Sequence, residues 1–127
     1  MEQRLHWARQ IIDTLRFVHS KNVIHRDLTC RNILLDAHLN AKLADFAGSS
    51  LDRCPLLVAV TASHQYPRLA ISILGDIFAL GSTFYEIITG GVPYPEFSNK
   101  EIKARYLKGD FPNIKSSGLI GDIIIHC

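Results

Sequence analysis

His25-Arg26-Asp27-Leu28-Thr29-Cys30-Arg31-Asn32 is a polar run with neither helical nor strand periodicity, and Asp45-Phe46 follows thirteen residues after Asn32. The run reads as a loop, 25–32. Immediately after it, Ile33-Leu34-Leu35 and Ala41-Lys42-Leu43-Ala44 flank a turn containing Asp36 and Asn40, which predicts a small hairpin over 33–44. Two carboxylates, Asp27 and Asp45, and the carboxamide of Asn32 therefore gather at the mouth of a hairpin. Carboxylates at close range in a partly dry site repel, so a shared divalent cation or proton is needed to keep both there. An oxygen-only ligand set points to magnesium rather than zinc. Magnesium on one or two carboxylates, with phosphates completing its shell, is the arrangement of a phosphoryl-transfer site.

Outward from the loop, residues 2–20 form an amphipathic pattern. Leu5, Ala8, Ile11, Ile12, Leu15 and Val18 recur at steps of three and four, and Lys21-Asn22 closes the predicted helix. Residues 45–68 are irregular and carry Gly48, Ser49, Ser50, Pro55 and Pro67. A stretch of that length without regular structure is often functional. Residues 75–89 are apolar nearly all round, which predicts a helix buried on every side, ended by Gly90-Gly91 and Pro93. Ser98-Asn99-Lys100-Glu101 is a capping box opening a helix over 98–108. Residues 118–127 read as the start of one more apolar helix. The fold class expected is mainly α with a small β-hairpin.

Composition excludes several function classes. The chain has 127 residues, 47% hydrophobic and 20% charged, a globular composition. Fourteen Lys and Arg against twelve Asp and Glu give a net charge of +2 with no basic run, so neither a nucleic acid nor a membrane surface is expected as partner. Cys30, Cys54 and Cys127 are widely spaced and odd in number, which suits reduced thiols in an intracellular, cytoplasmic protein. His6, His19, His38, His64 and His126 have no metal-ligand spacing and are expected at the surface or at helix ends.

His-Arg-Asp-Leu-x-x-x-Asn with a downstream Asp-Phe pair resembles the eukaryotic protein kinases. The resemblance spans nearly the whole chain and implies the large, C-terminal lobe of that fold. The lobe would comprise helix 2–20, catalytic loop 25–32, hairpin 33–44, activation segment 45–68, buried helix 75–89, capped helix 98–108 and a truncated helix 118–127. It implies transfer of the ATP γ-phosphoryl group to a protein hydroxyl, with ATP and Mg2+ as cofactors and a protein as substrate. Carried over, Asp27 would accept or orient the acceptor's proton, Asn32 would hold a second magnesium, and Asp45 the magnesium bridging the phosphates. Leu34 would lie beneath the adenine, and His25 and Phe46 would pack in an internal spine. Arg26 would meet a phosphorylated residue of the activation segment, Thr61 would sit at the substrate pocket, and Asp76 would brace the loop. Arg31, four after the catalytic Asp, follows the tyrosine-kinase pattern, whereas the serine/threonine pattern puts Lys where Thr29 stands. Small-molecule phosphotransferases share the Asp-x-x-x-x-Asn and later Asp, but typically carry Gly at the position of Arg26.

The chain also departs from the family. Asp45-Phe46-Ala47 replaces Asp-Phe-Gly, and Tyr66-Pro67-Arg68 replaces Ala-Pro-Glu. No Gly-x-Gly-x-x-Gly loop or Val-Ala-Ile-Lys strand occurs in these residues. The expectation is a lobe without its small, N-terminal counterpart, its nucleotide face covered by that lobe or by a partner. The rival expectation is a truncated or pseudokinase fragment that acts as a protein-binding module without catalysis.

Overall fold

In the computed structural model, residues 2–47, 49–51, 64–65 and 72–112 are described. Their elements are α1 (Glu2–Ser20), β1 (Val23–Ile24), a single 3-10 turn (Cys30–Asn32), β2 (Ile33–Leu35), β3 (Ala41–Leu43), β4 (Ser50–Leu51), α2 (Ile73–Thr89) and α3 (Asn99–Leu107). The fold is mainly helical, with two small antiparallel sheets, β1 with β4 and β2 with β3. Thr61, Tyr66-Pro67-Arg68, most of 45–68 and the helix expected at 118–127 lie outside the described residues. Among the described residues, no helix is long and apolar enough to cross a membrane.

The apolar stripe of α1 buries Ile11, Leu15 and Val18, while Leu5, in the N-terminal part of the helix, stays 39% exposed. Ile11 and Leu15 join Leu28, Ala41, Ala79, Leu80 and Phe84 in one core, with Trp7, Ile33 and Leu43 packed at its edge. Each fully buried aliphatic side chain there is worth about 1.5–3 kcal/mol. Ile11→Ala would cost about 2–5 kcal/mol. Asn22 ends the helix at φ 58°, a left-handed angle that Asn tolerates better than most residues.

Hydrogen bonds from α1 hold the hairpin. Trp7 Nε1 donates to the Leu39 carbonyl (2.7 Å), and Gln10 bridges Asn40 Oδ1 (2.8 Å) and the Ala41 amide (2.7 Å). Within the turn, Asp36 Oδ1 accepts the amides of His38 and Asn40, and the Asn40 bond holds the Asp36 carboxyl below its usual range. Strand pairing covers Ile33↔Leu43 to Leu35↔Ala41, shorter than the 33–44 expected from the sequence.

Helix α2 begins at Ile73, two residues before the apolar run suggested, because the Ser72 hydroxyl accepts the Gly75 amide and caps it. It ends at Gly90, whose φ of 80° favours glycine. Full burial covers Gly75, Asp76 and Ala79–Phe84, whereas Ile73 and Leu74 are exposed and Ile77, Phe78 and Tyr85–Ile88 half-buried. The helix is therefore a central strut with one dry section rather than dry on every side. In α3 both halves of the Ser98–Glu101 capping box are formed. Tyr106 of α3 packs edge-on against Phe78 of α2, ring centroids 5.0 Å apart.

Candidate active site

Asp76 organises the loop from the middle of the molecule. It is 1% exposed, yet its carboxylate is fully engaged. Oδ2 accepts the His25 amide at 2.8 Å and lies 2.8 Å from His19 Nε2, while Oδ1 accepts the Arg26 amide at 2.9 Å. Buried charge is tolerated only when paired or richly hydrogen-bonded, and this one is. The bonds also offset backbone strain, since Arg26 sits at φ 71°. A non-glycine residue there costs about 1–2 kcal/mol.

His25 is completely buried and joins three segments. Its Nδ1 accepts the Asp27 amide (3.2 Å), so the ring proton sits on Nε2, which donates to the Ala44 carbonyl (2.9 Å). Its edge meets Phe46 with centroids 4.7 Å apart. Asn32 Nδ2 donates to the Asp27 carbonyl (2.7 Å) and to Asp27 Oδ2 (3.0 Å), tying the two ends of the loop together. The Ala44 amide in turn donates to the Asn32 carbonyl at 2.8 Å. Asp45 follows at φ 55°, exposed, with its Oδ1 accepting the Ala47 amide at 3.3 Å. It shares no hydrogen bond with Asp27 or Asn32 among the described residues; Ala44 is the link.

Helix α2 supports the loop from below. The Thr83 hydroxyl lies 2.8 Å from the Ala79 carbonyl and 3.2 Å from that of Leu28. Cys30 Sγ donates weakly to the Thr83 carbonyl at 3.7 Å.

The donor chemistry fits magnesium. Both Asn32 Nδ2 bonds point at Asp27, which leaves the amide oxygen to serve as a ligand, and the Asp45 carboxylate is open to solvent. Magnesium keeps several waters and takes one or two carboxylates plus phosphates, so it needs no cage of protein ligands. None exists among the described residues: no three His, Cys, Asp or Glu side chains converge.

Residues 1–118 match the family described as protein tyrosine and serine/threonine kinase. The chain belongs to that kinase family. It is 32% identical over 117 residues to mitogen-activated protein kinase kinase kinase 1 of Arabidopsis thaliana, covering 85% of this chain and 19% of that protein. It is also 32% identical over 116 residues to mitogen-activated protein kinase kinase kinase 1b of Physcomitrium patens, covering 85% and 15% respectively. The kinase chain thus spans less than a fifth of the length of either relative.

Of the kinase residues singled out in the sequence, His25, Arg26, Asp27, Asn32, Phe46 and Asp76 lie on one connected hydrogen-bonded and ring-packed unit, and Asp45 sits between its members Ala44 and Phe46 in the chain. Leu34 stands apart on β2, 56% exposed, and Arg31 is exposed on the 3-10 turn. Thr61 lies outside the described residues. Of the surface or helix-end placement expected for His64, the surface part is corrected: it is 2% exposed, with Nε2 2.5 Å from Glu86 Oε1. Burial and the neighbouring Glu86 push the Cys30 thiol up to about 12. Neither Glu86 nor His64 stands out in the sequence, because the contact joins residues 22 apart in the chain.

Proposed function

We propose that the chain is the large lobe of a protein kinase and carries the phosphoryl-transfer half of its active site. Asp27 takes up the proton of the acceptor hydroxyl as that oxygen attacks the γ-phosphorus. The new O–P bond forms as the bond to the β–γ bridging oxygen breaks, and ADP leaves. Asn32 and Asp45 would hold magnesium, which would supply positive charge to neutralise the phosphates. Leu34, exposed on β2, offers an apolar side chain for the adenine. The acceptor is a Ser/Thr or Tyr hydroxyl of a protein, and the ATP requirement suits an intracellular location.

One observation carries this reading. Asn32 pins Asp27 while its own amide oxygen has no donor among the described residues, on a loop fixed by Asp76 and linked through Ala44 to Asp45. Catalysis of this kind is chiefly positioning and electrostatics, and such a loop supplies positioning.

The test uses the full-length protein in single-turnover assays. Asp27→Asn abolishes transfer while sparing nucleotide affinity, and Asp45→Asn abolishes magnesium-dependent nucleotide binding. Undiminished transfer by either variant refutes the assignment. Wild-type protein that takes up no magnesium-ATP supports the rival reading, a non-catalytic binding module, which Ala47 in the place of glycine favours.

A further inference from the structure

Polar side chains from His25 to Asn32 are engaged, with one exception. His25, Asp27, Cys30 and Asn32 have the partners given above, and Arg26 and Arg31 are engaged as well. Thr29 is 4% exposed, and its Oγ1 has no hydrogen-bond partner among the described residues. Thr29 caps the 3-10 turn, a position where a hydroxyl ordinarily accepts a free amide, yet it makes no such bond. A buried polar atom left unpaired is costly and uncommon, so its retention calls for a reason.

Local geometry suggests one. Thr29 is extended (φ −141°, ψ 164°), and Leu28 beside it is fully buried in the core. Asp27 stands two residues before Thr29, and side chains two apart share a side where the backbone between them is extended. There, Asp27 Oδ2 accepts from Asn32, and Oδ1 has no donor among the described residues. An unused donor and an unused acceptor stand two residues apart.

We propose that Thr29 is a positioning residue for the transfer reaction. In the acceptor-bound state its hydroxyl donates to Asp27 Oδ1, fixing the plane of the carboxylate while Asn32 holds the other oxygen. Before the acceptor arrives, the hydroxyl waits unpaired. The inference rests on the function proposed above and adds to it a residue acting through Asp27.

Thr29→Val keeps the shape of the side chain and deletes the hydroxyl; Thr29→Ser keeps the hydroxyl. Both are compared with wild-type and Asp27→Asn full-length protein, using magnesium-ATP with dephosphorylated casein and a Glu–Tyr copolymer as acceptors. The expected result for Thr29→Val is a kcat about tenfold lower with KM for ATP unchanged. Thr29→Ser stays near wild type. Melting temperature gives a second readout: removing an unpaired buried hydroxyl leaves Thr29→Val as stable as wild type or more so. A valine variant with normal kcat overturns the inference. So does one that melts several degrees lower, since the hydroxyl would then be a structural bond, or a serine variant as slow as valine. An inactive Asp27→Asn beside a normal Thr29→Val overturns this inference alone. A fully active Asp27→Asn, or a wild type without transfer, overturns the proposed function as well.

Discussion

Replacing Asp76 by alanine removes three contacts at once, and the consequence can be worked from the geometry. The His25 and Arg26 amides, donating at 2.8 and 2.9 Å, lose their acceptor, as does His19 Nε2. Alanine cannot replace the bonds, and the methyl group leaves a cavity at a position 1% exposed. Each orphaned buried amide costs about 1–3 kcal/mol. Arg26, freed from φ 71°, recovers part of this by relaxing out of its strained angle. The net loss is about 2–5 kcal/mol, a large part of the roughly 5–15 kcal/mol that stabilises a typical domain. Asp76→Asn keeps the volume and one acceptor oxygen but turns an NH2 toward one of the two amides, so it loses about half as much. Urea unfolding of the full-length protein gives the total, and hydrogen exchange at the His25 and Arg26 amides gives the local effect. Alanine-variant amides that exchange as slowly as in wild type, with an unchanged unfolding midpoint, would refute the idea that Asp76 braces the loop.

Two further tests are independent of catalysis. The Ser98 hydroxyl and amide, donating to Glu101, hold its carboxyl below the ordinary 4.5. A carboxyl depressed in the folded state adds stability that is present above 4.5 and is lost as pH falls through the folded value. Protection of the α3 amides should therefore decline on acidification below 4.5 and do so less in Glu101→Gln; identical pH profiles would contradict the cap. Burial beside Glu86 raises the Cys30 thiol from 9.0 to about 12, which makes its thiolate fraction about a thousandfold smaller. Iodoacetamide at about pH 8 should leave Cys30 unmodified in native protein and label it in denaturant, by peptide mapping; equal labelling rates would contradict the burial.

Features of this molecule that rest on neighbouring residues are legible in the sequence itself. The steps of three and four in α1 correspond to its buried stripe at Ile11, Leu15 and Val18. Ser98 and Glu101 announce a cap that depends only on residues three apart. Features that rest on distant partners are not legible in this way. Val23–Ile24 is too short to carry a period, and its partner Ser50–Leu51 lies beyond the hairpin. His64 reads as an ordinary loop histidine, and only the fold brings Glu86 to it. An arginine at φ 71° is not foreseeable from its residue type, and its amide is held by Asp76 from 50 residues away. For the candidate site, residue identities follow from the motif, whereas the Asn32–Asp27 clasp and the unpaired Thr29 emerge only in three dimensions.

The brace from Asp76 also bears on how such a chain comes into being. Its ligands His19, His25 and Arg26 precede it by 57, 51 and 50 residues. During synthesis, residues 25–32 leave the ribosome long before Asp76 does, and helix α1 can form while the loop beside it has no acceptor for its amides. The strained angle at Arg26 then has nothing to sustain it. The amides of residues 25 and 26 therefore find their acceptor only once residue 76 has joined the chain, so the order of this loop is set by a part of the sequence made some fifty residues later.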